Sequence, residues 1–243
     1  MADIRDIDVV VFDILGTLVD EPGGLRAEIA DALAANDGGS GDIDSGSGSD
    51  SGSGDELAAV WQRYVESAQR RIGRGERAYA DSEVIDREAA QLVAERAGLT
   101  DPATIERLAT ASRRLPPWGD SVAGLERLAR RFPVLGLSNA ARTTLLHLNA
   151  HAGLRWHQVL SGEAVLAYKP APEVYQLAID TAGCPPERVL MVAAHAWDLR
   201  GARARGMRTA YVRRPVGDPP AESDVFDGHF DGLEDLVNAL TAR

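Results

Sequence analysis

Val9-Val10-Val11-Phe12-Asp13-Ile14-Leu15-Gly16-Thr17 is the stretch that decides how this chain is read. Its apolar run reads as a strand of a parallel sheet, buried on both faces. A carboxylate directly after such a strand stands at the carboxyl end, where open α/β sheets form their ligand crevice. Gly16 permits a sharp turn, and Thr17 offers a hydroxyl and an N–H there. Asp13 in that place is either a nucleophile or a structural acid that requires a partner. Two positions on stands Leu15, not a second acid. That absence restricts the reactions Asp13 could serve.

Outward from this stretch the chain changes character twice. After the first strand (8–12), a helix is expected over 25–35, with Leu25, Ile29 and Leu33 on one face. Residues 37–55 are almost entirely Gly, Ser and Asp. They cannot bury apolar area, and a disordered loop is expected. Helical pattern resumes at Glu56, with an apolar stripe of Leu57, Val60, Trp61, Tyr64, Val65 and Ala68. Asp81 or Ser82 caps the next expected helix, which places Val84, Ile85, Ala89, Leu92 and Val93 inside. A third runs through Ile105, Leu108 and Ala109, and Pro116-Pro117 ends the pattern.

From Trp118 onward strands and helices alternate. Strands are expected at 134–137, 159–160, 189–193 and 209–212. Helices are expected at 122–131, 142–152, 172–182 and 197–205, with a last one holding Leu233, Leu236, Val237 and Leu240. Such alternation implies an α/β fold, a Rossmann-like doubly wound parallel sheet. The expected organisation is a core of 1–19 and 117–243, with 20–116 inserted as an all-helical cap.

The chain has 243 residues, 44% of them hydrophobic, and a formal net charge of -11. That balance argues against nucleic acid or an anionic membrane as partner, but not against a small anionic substrate at a locally positive site. Cys184 is the single cysteine, so no internal disulfide can form. The charged start resembles no signal peptide, and no apolar stretch could span a bilayer. A cytoplasmic enzyme is expected. His147, His151, His157 and His229 lack metal-ligand spacing, and no metal site is expected.

Polar residues fall at the expected strand ends or in the loops that follow: Asp13 with Thr17, Ser138 with Asn139, Lys169, and Asp198. Each has a plainer explanation. Ser138-Asn139 could cap a helix, Lys169 could be a solvated loop lysine, and Asp198 could open a helix. Together, Asp-x-x-Gly-Thr, Leu-Ser-Asn, Tyr-Lys-Pro-x-Pro-x-Val-Tyr and His-Ala-Trp-Asp-Leu resemble the haloacid dehalogenase superfamily, closest to its type II 2-haloacid dehalogenases.

That resemblance implies roles. Asp13 would be the nucleophile, and Thr17 and Ser138 would hold its carboxylate and that of the substrate. Lys169 would neutralise charge, and Asp198 would orient Lys169 and help activate water. Asn139 would line the pocket and Tyr175 would support it. The implied substrate is a short 2-haloacid, the implied cofactor none, and family members are often homodimers. Superfamily phosphatases carry an acid where Leu15 stands, because a departing alkoxide needs a proton. A halide does not. Leu15 thus argues against phosphomonoester hydrolysis and against a need for Mg2+.

This sequence also departs from the family pattern. The family arginine after the cap tryptophan is replaced by Gln62, with Arg63 one step on. One step rotates a helical side chain by ~100°, so Arg63 is either a substitute halide contact or a solvated residue. Ala193 and His195 stand where the family has Ser and Asn. His195 either lines the pocket or caps the next helix. Two other readings stay open beside the dehalogenase: a Mg2+-dependent phosphatase, and a non-catalytic binding protein.

Overall fold

The computed structural model describes residues 4, 6–37 and 51–242. Among them, six strands form one sheet: β1 (Val9–Phe12), β2 (Val134–Ser138), β3 (Gln158–Ser161), β4 (Val189–Ala193), β5 (Arg208–Val212) and β6 (Gly228–Phe230). Every pairing is parallel, and the order is β3-β2-β1-β4-β5-β6. The expected α/β doubly wound sheet is therefore present. β1 lies at its centre, with Val10 opposite Val134 on one side and Leu190 on the other.

The strand period of two sorts β1 between two cores. Val10 and Phe12 face one apolar cluster, built with α5 (Ser121–Ala129), α6 (Arg142–Ala152) and α9 (Leu233–Thr241). Val9 and Val11 face the other, built with α7 (Pro172–Ala182) and α8 (Ala196–Ala204). All four β1 residues are buried, which is why the strand reads as an unbroken apolar run.

The remaining helices are α1 (Glu21–Asp37), α2 (Ser51–Gly73), α3 (Ser82–Ala97) and α4 (Pro102–Ala109). They close a separate apolar cluster that includes Leu25, Ile29, Trp61, Val93 and Leu108. Chain entry and exit for this block are tied together. Asp20 N donates to Pro116 O at 2.8 Å, and Trp118 N donates to Leu18 O at 3.1 Å.

Several sequence expectations are corrected. Asp37 ends α1 and residues 51–55 open α2, so these parts of the expected loop 37–55 are helical; the rest of that tract, 38–50, lies outside the described residues. Once a helix is nucleated each further residue gains a hydrogen bond, so α2 extends more than a turn ahead of its apolar stripe. α1 starts four residues before its expected position. Asp20 Oδ1 accepts the Gly23 N–H at 2.9 Å, and Pro22 sits in the first turn, where its missing N–H costs nothing. Val84 is exposed rather than inside. Asp81 is the α3 cap, accepting the Val84 N–H at 3.0 Å. β6 was not expected, because Gly-His-Phe carries no strand pattern.

No helix among the described residues is long and apolar enough to cross a membrane. Replacing the fully buried Ile29 by alanine should destabilise the folded protein by about 2–5 kcal/mol. Thermal unfolding followed by circular dichroism would measure it, and an unchanged midpoint would contradict the packing described for the helical block.

Candidate active site

In the strand order β3-β2-β1-β4-β5-β6, connections run one way from β1 to β2 and the other way to β4. Carboxyl ends at such a switch point diverge into a crevice. Asp13 follows β1, Ser138 ends β2, and Asp198 lies in the first turn of α8 after β4. Lys169 comes from the loop before α7. The topology therefore gathers residues separated by up to 185 positions.

At the centre is a three-membered ion cluster. Lys169 Nζ donates to Asp13 Oδ1 at 2.8 Å and to Asp198 Oδ2 at 2.7 Å. The other Asp13 oxygen, Oδ2, accepts the Thr17 hydroxyl at 2.6 Å, and Thr17 Oγ1 accepts the Ala194 N–H at 2.9 Å. The other Asp198 oxygen accepts the Tyr175 hydroxyl at 2.7 Å. Side chains of Lys169 and Asp198 are 1% and 0% exposed, whereas Asp13 is 9% exposed, so Asp13 is the member a substrate could reach.

Burial alone would pull the Lys169 ammonium down, but the Asp13 and Asp198 charges outweigh it and hold its pKa above the usual lysine range. Burial and the Asp13 charge push Asp198 upward, opposed by Lys169 and Tyr175. Burial and Asp198 push the Tyr175 hydroxyl up, so it remains a donor. Two carboxyl groups thus share one cation, and each of their four oxygens has a hydrogen-bond donor.

The other expected residues fall into place unevenly. Ser138 is fully buried, and its oxygen accepts the Ala140 N–H at 3.1 Å, which leaves its own proton to donate. Asn139 is committed: its Oδ1 accepts the Lys169 N–H at 2.7 Å, and its Nδ2 lies 3.5 Å from Gln69 Oε1. Gln62 is seven residues before Gln69 and thus on the same α2 face, partly buried. Leu15 is partly buried against the core cluster of one sheet face. Arg63 is exposed and makes no hydrogen bond or ion pair with this cluster, so the structure does not bring it into the site. His195 Nε2 lies only 2.5 Å from where a Cβ on Gly16 would sit. Gly16 also has φ +76°, so two independent demands exclude a side chain there. The His195 ring therefore covers the turn after Asp13. It is also the N-cap residue of α8, but it makes no side-chain cap.

Sequence reasoning missed Gln69 and Glu21. Burial pushes the Glu21 carboxyl up to about 7, aided by Asp86 and Asp13 and opposed by His195. Its placement before the expected helix start concealed it. Two surface cavities of about 400 and 440 Å³ lie elsewhere, and neither includes a member of the ion cluster.

The family model for haloacid dehalogenase-like hydrolases matches residues 7–206, from the approach to β1 through α8. The chain belongs to this family. It is 29% identical over 218 residues to (S)-2-haloacid dehalogenase H-109 of Pseudomonas putida, covering 87% of this chain and 88% of that one. It is 32% identical over 212 residues to an (S)-2-haloacid dehalogenase of Xanthobacter autotrophicus, covering 86% and 76%. Among solved structures, a defluorinating L-2-haloacid dehalogenase superposes with TM-score 0.84 at 27% identity, covering 98% of both chains. An L-2-haloacid dehalogenase from Xanthobacter autotrophicus with chloropropionic acid covalently bound superposes with TM-score 0.77 at 27% identity, covering 96% of this chain and 98% of that one.

Glu21 and Asp86 make the pH dependence of stability testable. Asp86, buried in α3 and accepting the Ser112 hydroxyl at 2.9 Å, is likewise pushed up to about 7 by burial. Their ordinary values are 4.5 and 3.8. Between those values and about 7 the folded protein binds more protons than the unfolded chain, so these groups lower stability as pH rises through that window. The thermal midpoint should fall from pH 5 to pH 8, and Asp86→Asn and Glu21→Gln should each flatten the decline. An Asp86→Asn slope identical to wild type would refute the assignment.

Proposed function

We propose that this protein hydrolyses the carbon–halogen bond of short 2-haloalkanoates through a covalent ester on Asp13. The observation that carries this reading is the Lys169 ammonium held between Asp13 and Asp198 at the sheet switch point, with Leu15 where an acid for alkoxide departure would stand. The family relatives named above support it.

In the first step an Asp13 carboxylate oxygen attacks C2 of the substrate from behind the halogen. A carbon–oxygen bond forms, the carbon–halogen bond breaks with its electron pair on the halide, and C2 inverts. The Lys169 ammonium holds Asp13 Oδ1 and Thr17 holds Oδ2, which fixes the orientation of the carboxylate for attack. The Ser138 hydroxyl, its oxygen already satisfied by Ala140, donates to the substrate carboxylate. In the second step water attacks the Asp13 acyl carbon, with Asp198 helping to take up its proton. The 2-hydroxy acid leaves carrying one proton of that water, the other passes to solvent, and Asp13 returns as carboxylate. Lys169 offsets the negative charge in both steps, so the scheme needs no metal or organic cofactor.

With Arg63 in solvent, the departing halide is received by other groups. Gln62 and His195 are the ones we assign to that side, and the helical segment 20–116 acts as the cap that carries Gln62 over the crevice. Tyr175 serves by holding Asp198 rather than by touching substrate.

Halide release from (S)- and (R)-2-chloropropionate, with EDTA present, tests the proposal. Release from the S enantiomer with lactate of inverted configuration is expected, and release from neither would reject it. Asp13→Asn should lower release by at least about a thousandfold, as expected for loss of a nucleophile. Wild-type rates in that variant would move the nucleophile elsewhere.

A further inference from the structure

The turn that carries the nucleophile is gripped from behind. Three consecutive carbonyls, on Gly16, Thr17 and Leu18, each accept a hydrogen bond from a residue far along the chain. Trp118 Nε1 donates to Gly16 O at 3.1 Å, and Arg214 Nε donates to Thr17 O at 2.8 Å. Ser121 Oγ donates to Leu18 O at 2.7 Å, as does the Trp118 N–H at 3.1 Å.

Arg214, in the loop after β5, is an expensive way to make one of these bonds. Its side chain is 6% exposed, and its ion-pair partner is Asp120, 2.8 Å away. Its Nη2 is buried with no hydrogen-bond partner, and Asp120 Oδ1 has no aligned one. Its guanidinium carbon lies 5.7 Å from the Trp118 ring centroid. A buried ion pair with unmet hydrogen-bonding capacity seldom stabilises a fold more than apolar side chains of the same volume. What the guanidinium supplies and an apolar side chain cannot is a fork of aimed N–H groups: Nη1 donates to Asp120 Oδ2 at 2.9 Å, and Nε donates to Thr17 O at 2.8 Å.

That carbonyl matters because peptide units are planar and trans. Fixing the Thr17 C=O fixes the Leu18 N–H, which donates to Ile14 O at 2.9 Å and closes the turn beside Asp13. Fixing the Gly16 C=O fixes the Thr17 N–H. Gly16, at φ +76°, is the one residue in this turn with no side chain to stiffen it. Thr17 is also the residue whose hydroxyl orients Asp13.

We propose that Arg214, together with Trp118, is a positioning residue for the nucleophile: it holds the Thr17 backbone, and through Thr17 the Asp13 carboxylate, in line for attack. The kinetic consequence rests on the dehalogenase reading, but the positional one does not.

The test uses Arg214→Lys, which keeps the charge near Asp120 but loses the planar fork, and Trp118→Phe, which keeps a ring but loses the indole N–H. Amide hydrogen exchange should quicken in the peptide spanning 13–20 while the β4 and β5 peptides exchange as in wild type. kcat for halide release should fall by about ten- to a hundredfold with KM within about twofold, because misplacement of a reacting group by ~1 Å costs on that order. Guanidinium added to Arg214→Ala should restore part of the lost kcat. Unchanged exchange at 13–20 would overturn the proposal, and so would quickened exchange with unchanged kcat. If wild type itself releases no halide, the dehalogenase reading fails, and the exchange data alone decide whether Arg214 and Trp118 hold the turn. If Arg214→Lys fails to fold, Trp118→Phe carries the test.

Discussion

Everything at the site depends on one buried ammonium, Lys169, shared between the carboxylates of Asp13 and Asp198. Placing two carboxylates out of water costs several kcal/mol each unless they are paired. One cation cannot pair both fully, so the surroundings are arranged to make up the difference. Thr17 and Tyr175 donate to the outer oxygens, Ala194 fixes Thr17, and Asn139 fixes the Lys169 backbone. Such a cluster costs the fold locally, and groups of this kind persist only where their surroundings over-determine them.

Much of this was legible in the sequence because parallel sheets write themselves plainly. A strand buried on both faces needs an uninterrupted apolar run, and a residue directly after it must lie at the crevice. Asp13, Ser138 and the approach to Asp198 could be placed by that logic alone. Lys169 could be named by its loop after a strand, but a lysine before a proline has no local signature that separates it from a solvated one. The resemblance to the family pattern Tyr-Lys-Pro supplied that distinction. Tyr175 was likewise carried by resemblance, although its burial follows from its place on the apolar face of α7.

What stayed hidden shares a physical cause. Glu21, Gln69 and Arg214 are placed by contacts made across the tertiary fold, where no periodicity operates. Glu21 was assigned to no element because Pro22, Gly23 and Gly24 mask the start of α1. Arg214 sits after a strand, among loop residues whose sequence resembles any solvated turn. Arg63 admits two readings from sequence, a halide contact or a solvated residue, and its exposure selects the second, as the ~100° helical step from Gln62 allows.

The arrangement of β1 bears on how the chain assembles. The strand that leads into Asp13 is the first element of the sheet, and its partner β2 begins only at Val134, after the whole helical block. Closing so long a loop adds little to the equilibrium cost, which grows only logarithmically with length, but it slows the search for the partner. During synthesis Val9–Phe12 leaves the ribosome well before any strand that can cover it, while α1–α4 can already collapse on their own apolar cluster. The Asp13 turn is thus made first and completed late, and its apolar approach is the segment most in need of protection until the rest of the sheet arrives.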